Sequence, residues 1–374
     1  MAKKNFGWPY LGLIAALLSG AAAATQAGGH EPPRPVLQLA QASGGQRPAT
    51  GQPVGQAPPK QQQQRPQVQG MPQLGGVLTP RGVLVVTPSI QTSTSQVSRF
   101  NFNGVAILDT LLIGLVNAED TDRDLVQAAL SFRLGLSNRL EAGLKVPYVY
   151  RHERTTLTAT SVQGKPTSTQ VLENAGLGDV EAYLHYQINQ GLNGWPFFVA
   201  NLRYKSTTGT GPFDVSRNAK GLPTELATGS GFHGIEPSVT ILLPSDPAVF
   251  YANVGYLFNL QADVDKTLGA GKDARRIGEV DPGDAFRLSF GMAYAMNQYS
   301  SFNLGYQNDY IFPTRTEIDG DKFESNRLIV GSAILGFNYA LSPRSQVNVS
   351  VQFGVTADAP DVVLGLQLPF AFAL

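Results

Sequence analysis

From Gly82 to the C-terminus, apolar and polar residues alternate one by one, in segment after segment of ten residues or more. A period of two is the mark of a strand with one apolar and one polar face. Residues 345–357 put Val347, Val349, Val351, Phe353 and Val355 on one face and Gln346, Asn348, Ser350, Gln352 and Gly354 on the other. The last segment does the same, with Val362, Leu364, Leu366, Leu368, Phe370, Phe372 and Leu374 opposite Gly365, Gln367, Pro369, Ala371 and Ala373. The pattern also covers 82–97, 123–137, 139–150, 177–189, 196–207, 232–243, 248–262, 284–297, 299–312 and 326–341.

Length decides what the apolar faces meet. These segments run to about 12–15 residues, whereas soluble strands average about 5–6 and a membrane strand needs about 9–11. Connections alternate between short (Ser137-Asn138, 190–194, 245–248, Asn297-Gln298, 342–345) and long (151–176, 208–231, 263–283, 313–325). Short turns at one end and long loops at the other are the habit of outer-membrane barrels, with the short turns in the periplasm. Tyr148, Tyr150, Tyr310 and Phe312 then fall at the outer interface, and Trp195, Phe197, Phe250, Tyr339, Phe370 and Phe372 at the inner one. Only 15% of residues are charged, below the roughly 25% of soluble proteins. Beyond residue 30 no run approaches the roughly 18 apolar residues of a membrane helix. The fold expected is therefore all-β, a transmembrane antiparallel up-and-down β-barrel.

Adding 104–117 would give thirteen strands, and bacterial single-chain barrels have an even number. This piece does not alternate: Ile107, Leu111, Ile113 and Leu115 oppose Leu108, Leu112 and Val116. A segment apolar on all sides needs burial on all sides. Residues 98–122 are accordingly expected as an outer loop folded into the lumen, with Ile107, Leu111, Leu112 and Leu115 as a plug, leaving about 12 strands. Lipid-face parity predicts that Val349→Arg or Leu366→Arg blocks assembly, while Asn348→Arg is tolerated.

Two segments precede the barrel of 76–374. Residues 1–27 carry Lys3 and Lys4, an apolar stretch from Leu11 to Leu18, and small residues offering cleavage after Ala24 or Ala27; they read as a signal peptide. Residues 28–75 are rich in Pro, Gln and Gly. They bury too little apolar surface to offset ordering entropy, so a disordered periplasmic linker is expected. It serves as a spacer or as a tether to a periplasmic or cell-wall partner. The alternating ending Phe370, Phe372, Leu374 is expected to act as an assembly signal for the barrel-assembly machinery.

The polar faces place Arg133, Glu141, Lys145, Asp179, Glu181, His185, Arg203, Lys205, Glu236, Arg287 and Asp309 toward the lumen. Adjacent strands tend to alternate in sign, as a selectivity ladder or a structural ion-pair network would. Net charge is zero, with 28 basic and 28 acidic residues, so nucleic acid is not an expected partner. With no Cys there is neither disulfide nor thiolate metal site. His185, with Ser131 as its candidate serine partner, reads as a lumen histidine rather than half of a catalytic pair, and the chain is not expected to be an enzyme. The acidic stretches 119–124 and 317–324 lack EF-hand spacing around Gly320 and read as solvated turns. No metal or other cofactor is expected.

Three stretches, FRLGLSNRLEAGLKVPYVYR (132–151), GLGDVEAYLHYQI (176–188) and TGSGFHGIEPSVT (228–240), resemble the outer-membrane transporter barrels of the MetA-pathway phenol-degradation family. The resemblance covers roughly 76–374 and carries no catalytic residues. It implies an outer-membrane channel, embedded in lipid, for passive diffusion of small hydrophobic, aromatic or amphipathic solutes. The rival readings are a plugged structural or interaction barrel and a secretion pore of the functional-amyloid export type. The latter is weakened because 28–75 shows no heptads.

Overall fold

The computed structural model describes residues 78–99, 105–108, 111–113, 119–158, 167–191, 194–219, 221–269, 271 and 274–374. The leader and linker expected over 1–75 lie outside these. In chain order the strands are β1 (Val83–Arg99), β2 (Val105–Leu108), β3 (Leu111–Ile113), β4 (Glu119–Ser137), β5 (Leu140–Thr158), β6 (Thr167–Leu177) and β7 (Glu181–Gln187). They continue with β8 (Phe197–Lys205), β9 (Gly234–Ser245), β10 (Ala248–Asn259), β11 (Ala262–Leu268), β12 (Arg275–Asp281) and β13 (Ala285–Ala295). Last come β14 (Ser300–Ile311), β15 (Arg315–Ile318), β16 (Asp321–Glu324), β17 (Leu328–Ser342), β18 (Ser345–Gly354), β19 (Val362–Gln367) and β20 (Phe370–Ala373).

One antiparallel sheet closes on itself. β1 pairs with β4 on one side and with β19 and β20 on the other, with Thr94 opposite Val362 and Val83 opposite Ala373. β6 and β7 both pair with β5, and β19 and β20 both pair with β1. Each of these couples is one stave, so the closed sheet is a barrel of twelve staves. Closure leaves no unpaired strand edge to face lipid.

Every second residue points outward, and the outward ones are apolar. Leu130, Leu144, Leu202, Val239, Phe290 and Val349 are each 40–49% exposed. In water such a belt would far exceed the few hundred Å² that soluble proteins leave bare; around a barrel it is the lipid face. Tyr256, Phe258, Tyr310 and Phe312 pack together at the long-loop rim, with centroids 4.6–6.3 Å apart. Trp195, Phe250, Tyr339 and Phe372 are exposed at the other. Phe197 departs from the expected girdle. It stands opposite Leu242 and packs on buried Leu242 and Tyr251 inside the barrel. The parity that turns Arg203 inward turns Phe197 inward too, six residues earlier on the same stave.

Three expected loops prove to be more regular. The connection over 151–176 is mostly a continuing hairpin, with Arg151 opposite Asn174 and Thr158 opposite Thr167. Parts of 263–283 and 313–325 form a second sheet in the order β11-β12-β15-β16. It has an apolar core of its own, in which buried Phe213, Phe232, Ile277 and Val280 pack against Val264, Leu268 and Ile318. The described parts of 98–122 are strand where a loop is expected. β1 runs to Arg99, β4 starts at Glu119, and β2 and β3 pair with each other, Val105 opposite Ile113. The side chains of Ile107, Leu111 and Leu112, and all of Leu115, lie outside the described residues.

The face assignment makes a direct prediction. Val349→Arg should cost about 2–4 kcal/mol at mid-bilayer and abolish heat-modifiable barrel. Asn348 is the wrong control, although it does face inward. It is 5% exposed and its amide atoms are fully shielded without a partner, so an arginine has no room there. Gln352, inward by the same parity but only half-buried, is the sound one: Gln352→Arg should assemble. Equal loss at 349 and 352 would mean the faces are misassigned.

Candidate functional site: the barrel lumen

A cavity of about 750 Å³ runs inside the barrel. Of the charged residues expected in the lumen, Arg133, Glu141, Lys145, Glu181, His185, Arg203, Glu236, Arg287 and Asp309 line it. The ion pairs form a chain with members on five of six consecutive staves. Glu181 on β7 stands 3.4 Å from Arg203 on β8. Arg203 donates to Glu236 on β9, Glu236 also accepts from Arg287 on β13 at 3.1 Å, and Arg287 lies 3.4 Å from Asp309 on β14. Lys145 stands in register beside Glu181. Within this chain three acids and three bases offset one another, while Arg344 adds a cation to the lining at the short-turn end.

The bridge from Glu236 to Arg287 crosses a whole stave, β10. It crosses at Gly255, which pairs with Ser238 on one side and Arg287 on the other. A Cβ on Gly255 would sit 2.9 Å from Ser238 Cβ and 3.3 Å from Glu236 Oε1. The glycine is the gap through which the two charges meet. Alternation alone does not reveal this, because it shows which way a side chain points and not which rung it shares with a residue two strands away.

Glu141 has a different task. Its side chain is 2% exposed, and its Oε2 accepts the backbone N–H of Thr79 at 2.7 Å, with Arg133 3.9 Å away. Leu78 and Thr79, buried at 6% each, line the same cavity. Pro80 lies over Gly135, where a Cβ would meet its carbonyl oxygen at 2.1 Å. The chain therefore enters β1 from within the short-turn mouth.

Asp179 does not line the cavity, and neither does Lys205, which stands opposite Glu181 at the end of β8. Asp179 falls in the break between β6 and β7, where its carboxylate accepts Gly209 N at 3.1 Å, Ser230 N at 2.7 Å and Ser230 Oγ at 2.6 Å. It clasps two similar stretches, TGTG (208–211) and TGSG (228–231). Their glycines must touch: a Cβ on Gly229 would lie 2.3 Å from Asp179 Oδ1 and 2.7 Å from Gly209 Cα. The clasped loop is held over the mouth by Arg151 Nη1 on Ala227 O at 3.2 Å and Asn174 Nδ2 on Leu226 O at 2.7 Å. Leu226 reaches a second cavity of about 230 Å³ there. The repeated TG-x-G was a readable sign, since paired small residues mark close backbone approach.

The acidic stretch 317–324 is a hairpin. Asp319 and Gly320, with φ of 54° and 93°, form the turn between β15 and β16, and Asp-Gly is a strong hairpin signal. The Asp319 carboxylate accepts Arg276 N at 2.8 Å and Arg275 Nη1 at 3.0 Å. These bonds, the backbone one foremost, hold its pKa below the usual value. A depressed carboxylate pKa stabilises above the unfolded value of about 3.9 and stops doing so as pH falls through the folded one. Hydrogen-exchange protection of the Arg276 amide should therefore hold at pH 6 and drop as pH falls below about 4. Protection independent of pH would remove Asp319 from this role.

The barrel is similar to solved membrane proteins. An outer membrane channel from Pseudomonas putida F1 matches with a TM-score of 0.50 at 13% identity, over 79% of this chain and 97% of that one. The toluene transporter TbuX of Ralstonia pickettii matches at 0.39 and 11% identity, over 83% and 92%. The translocator domain of the autotransporter NalP from Neisseria meningitidis matches at 0.42 and 5%, over 79% and 90%. At these identities the first likeness supports the fold alone. A family model described as "Putative MetA-pathway of phenol degradation" matches residues 147–372; with more than half its length matched, and with the barrel that the motifs at 132–151, 176–188 and 228–240 implied, this chain belongs to that family.

Proposed function

We propose that the chain is an outer-membrane channel for passive diffusion of small hydrophobic or amphipathic molecules, with its short turns in the periplasm, and that it is not an enzyme. The observation that carries this is the cavity of about 750 Å³ enclosed by a closed barrel, crossed by a chain of paired charges from Glu181 to Asp309. That volume suits a small organic molecule. A wall of paired charges gives ions of neither sign a strong advantage and leaves a neutral solute unopposed. Membership of a family described by phenol degradation supports an aromatic solute. The mutually paired lumen residues act as wall, setting width. Outer-membrane lipid surrounds the apolar belt, and the expected leader and periplasmic linker complete the proposal at the N-terminus.

Planar-bilayer recording of the full-length protein tests this against the plugged-scaffold alternative. The channel reading expects unitary currents and entry of toluene into protein-loaded liposomes faster than into empty ones. A folded barrel with neither is a scaffold. The apolar segment 105–117 is proposed as a lumen plug through Ile107, Leu111, Leu112 and Leu115. Changing Leu111 and Leu112 to Ser should then raise conductance, because an apolar constriction resists wetting. Unchanged conductance in a folded variant would place the segment elsewhere.

A further inference from the structure

One rung nearer the short-turn end than the Arg203–Glu236 pair, the wall of β7 to β10 changes from charged to neutral. Asn201 stands opposite Ser238, and Val199 opposite Thr240. The Asn201 amide nitrogen donates to Ser238 Oγ at 3.2 Å, to Thr240 Oγ1 at 2.9 Å and to Val199 O at 3.4 Å. The Asn253 nitrogen donates to the same two hydroxyls, at 3.3 and 2.8 Å. His185 Nδ1 lies 2.8 Å from Asn201 Oδ1.

A carbonyl partner fixes the direction of the Asn201 bonds. Val199 O is a carbonyl and only accepts, so the atom facing it is the NH2 of Asn201. Oδ1 then faces His185, and Nδ1 must be the protonated ring nitrogen. In the neutral ring that leaves Nε2 as an acceptor. With one Asn201 N–H on Val199 O, the other is shared between Ser238 Oγ and Thr240 Oγ1, and the Asn253 nitrogen also faces Ser238 Oγ, which keeps its own proton to give. Asn253 meets only hydroxyls, Ser238 Oγ and Thr240 Oγ1; with its nitrogen turned to them, its Oδ1 accepts nothing among the described residues. The wall therefore offers two acceptors, His185 Nε2 and Asn253 Oδ1, and one donor, the Ser238 hydroxyl, all lining the cavity. Beside them the Tyr183 and His185 rings lie stacked, 6.1 Å apart and 16° from parallel.

We propose that His185, Asn201, Ser238 and Asn253 form a head-group subsite for a neutral, hydroxyl-bearing aromatic solute. This rests on the channel reading and names the kind of solute it favours. A hydroxyl matches the wall because it both donates and accepts. Its proton goes to Asn253 Oδ1 or His185 Nε2, while its oxygen takes the Ser238 proton. A carboxylate is refused, since it brings only acceptors to a wall that is mostly acceptors, and the nearby cations Arg203 and Arg287 are already engaged. A bare hydrocarbon leaves the three polar groups unanswered. The Tyr183 and His185 ring faces suit an aromatic body.

The test uses full-length, ¹⁵N-labelled protein in nanodiscs. Benzyl alcohol, toluene and benzoate share one ring and differ in head group; each is titrated while the Asn253 side-chain amide and the His185 ring nitrogens are followed. Benzyl alcohol is expected to bind about tenfold more tightly than toluene, with benzoate weakest, as loss of one or two hydrogen bonds implies. Ser238→Ala, which removes one oxygen and little volume, should weaken benzyl alcohol about tenfold and leave toluene within twofold. Asn253→Leu, followed on His185, should do the same. Benzoate binding as well as benzyl alcohol, or benzyl alcohol binding unchanged in folded Ser238→Ala, overturns the subsite. Unitary currents recorded from the same preparations keep the two readings apart: an open pore with no head-group preference rejects the subsite and leaves the channel.

Discussion

Replacing Glu236 by Gln should make the lumen anion-selective. Glu236 is the shared anion of the chain, within reach of both Arg203 and Arg287, and its side chain is only 11% exposed. Taking away its charge leaves one surplus positive charge in a narrow, poorly screened passage, where electrostatics are strongest. In a tenfold KCl gradient the reversal potential should move by tens of millivolts toward the chloride limit of about 59 mV. Removing one partner of a buried pair also costs about 3–5 kcal/mol, so the variant should lose heat-modifiability at a lower temperature. Arg203→Gln leaves the opposite surplus and should shift the potential the other way. If both variants keep the wild-type potential, the chain of pairs does not border the conducting path.

The same residues show what a sequence does and does not disclose. Period-two alternation is local, so it revealed twelve staves, their two faces and the inward direction of nearly every charge. Glu236 and Arg287 could be assigned inward from their own neighbours. That they meet across Gly255 depends on the stagger between strands, which is a property of the closed barrel. Asp179 has inward parity by counting, but a break between β6 and β7 interrupts the count there and frees its carboxylate for the loop. The second sheet escaped for another reason. Its strands are 4–7 residues long and their alternation is too brief to stand out, although the Asp319-Gly320 turn announced one hairpin. Glu141 binding the backbone of Thr79 had no sequence sign at all, since a backbone N–H has no identity.

Deleting Phe370 to Leu374 should remove the protein from the outer membrane altogether. β20 pairs Phe370 with Val86 and Ala373 with Val83, and Leu374 N donates to Gly82 O at 2.7 Å. Without these residues the first turn of the barrel seam has no partner, and β1 presents unpaired backbone groups to lipid. Each such group costs several kcal/mol there, more than the margin of most folded proteins. The truncated chain should appear in the periplasm as degradation fragments, with no heat-modifiable band. A second variant separates the seam from the proposed assembly signal. Phe370→Ala with Phe372→Ala keeps every backbone pairing and removes two rings that are 38% and 51% exposed on the outer face. If those rings are what the barrel-assembly machinery reads, the double variant should fail in cells yet fold into detergent or lipid when refolded in vitro. Normal outer-membrane yield of the double variant would leave Phe370 and Phe372 with a seam role only, and normal yield of the truncation would dismiss both.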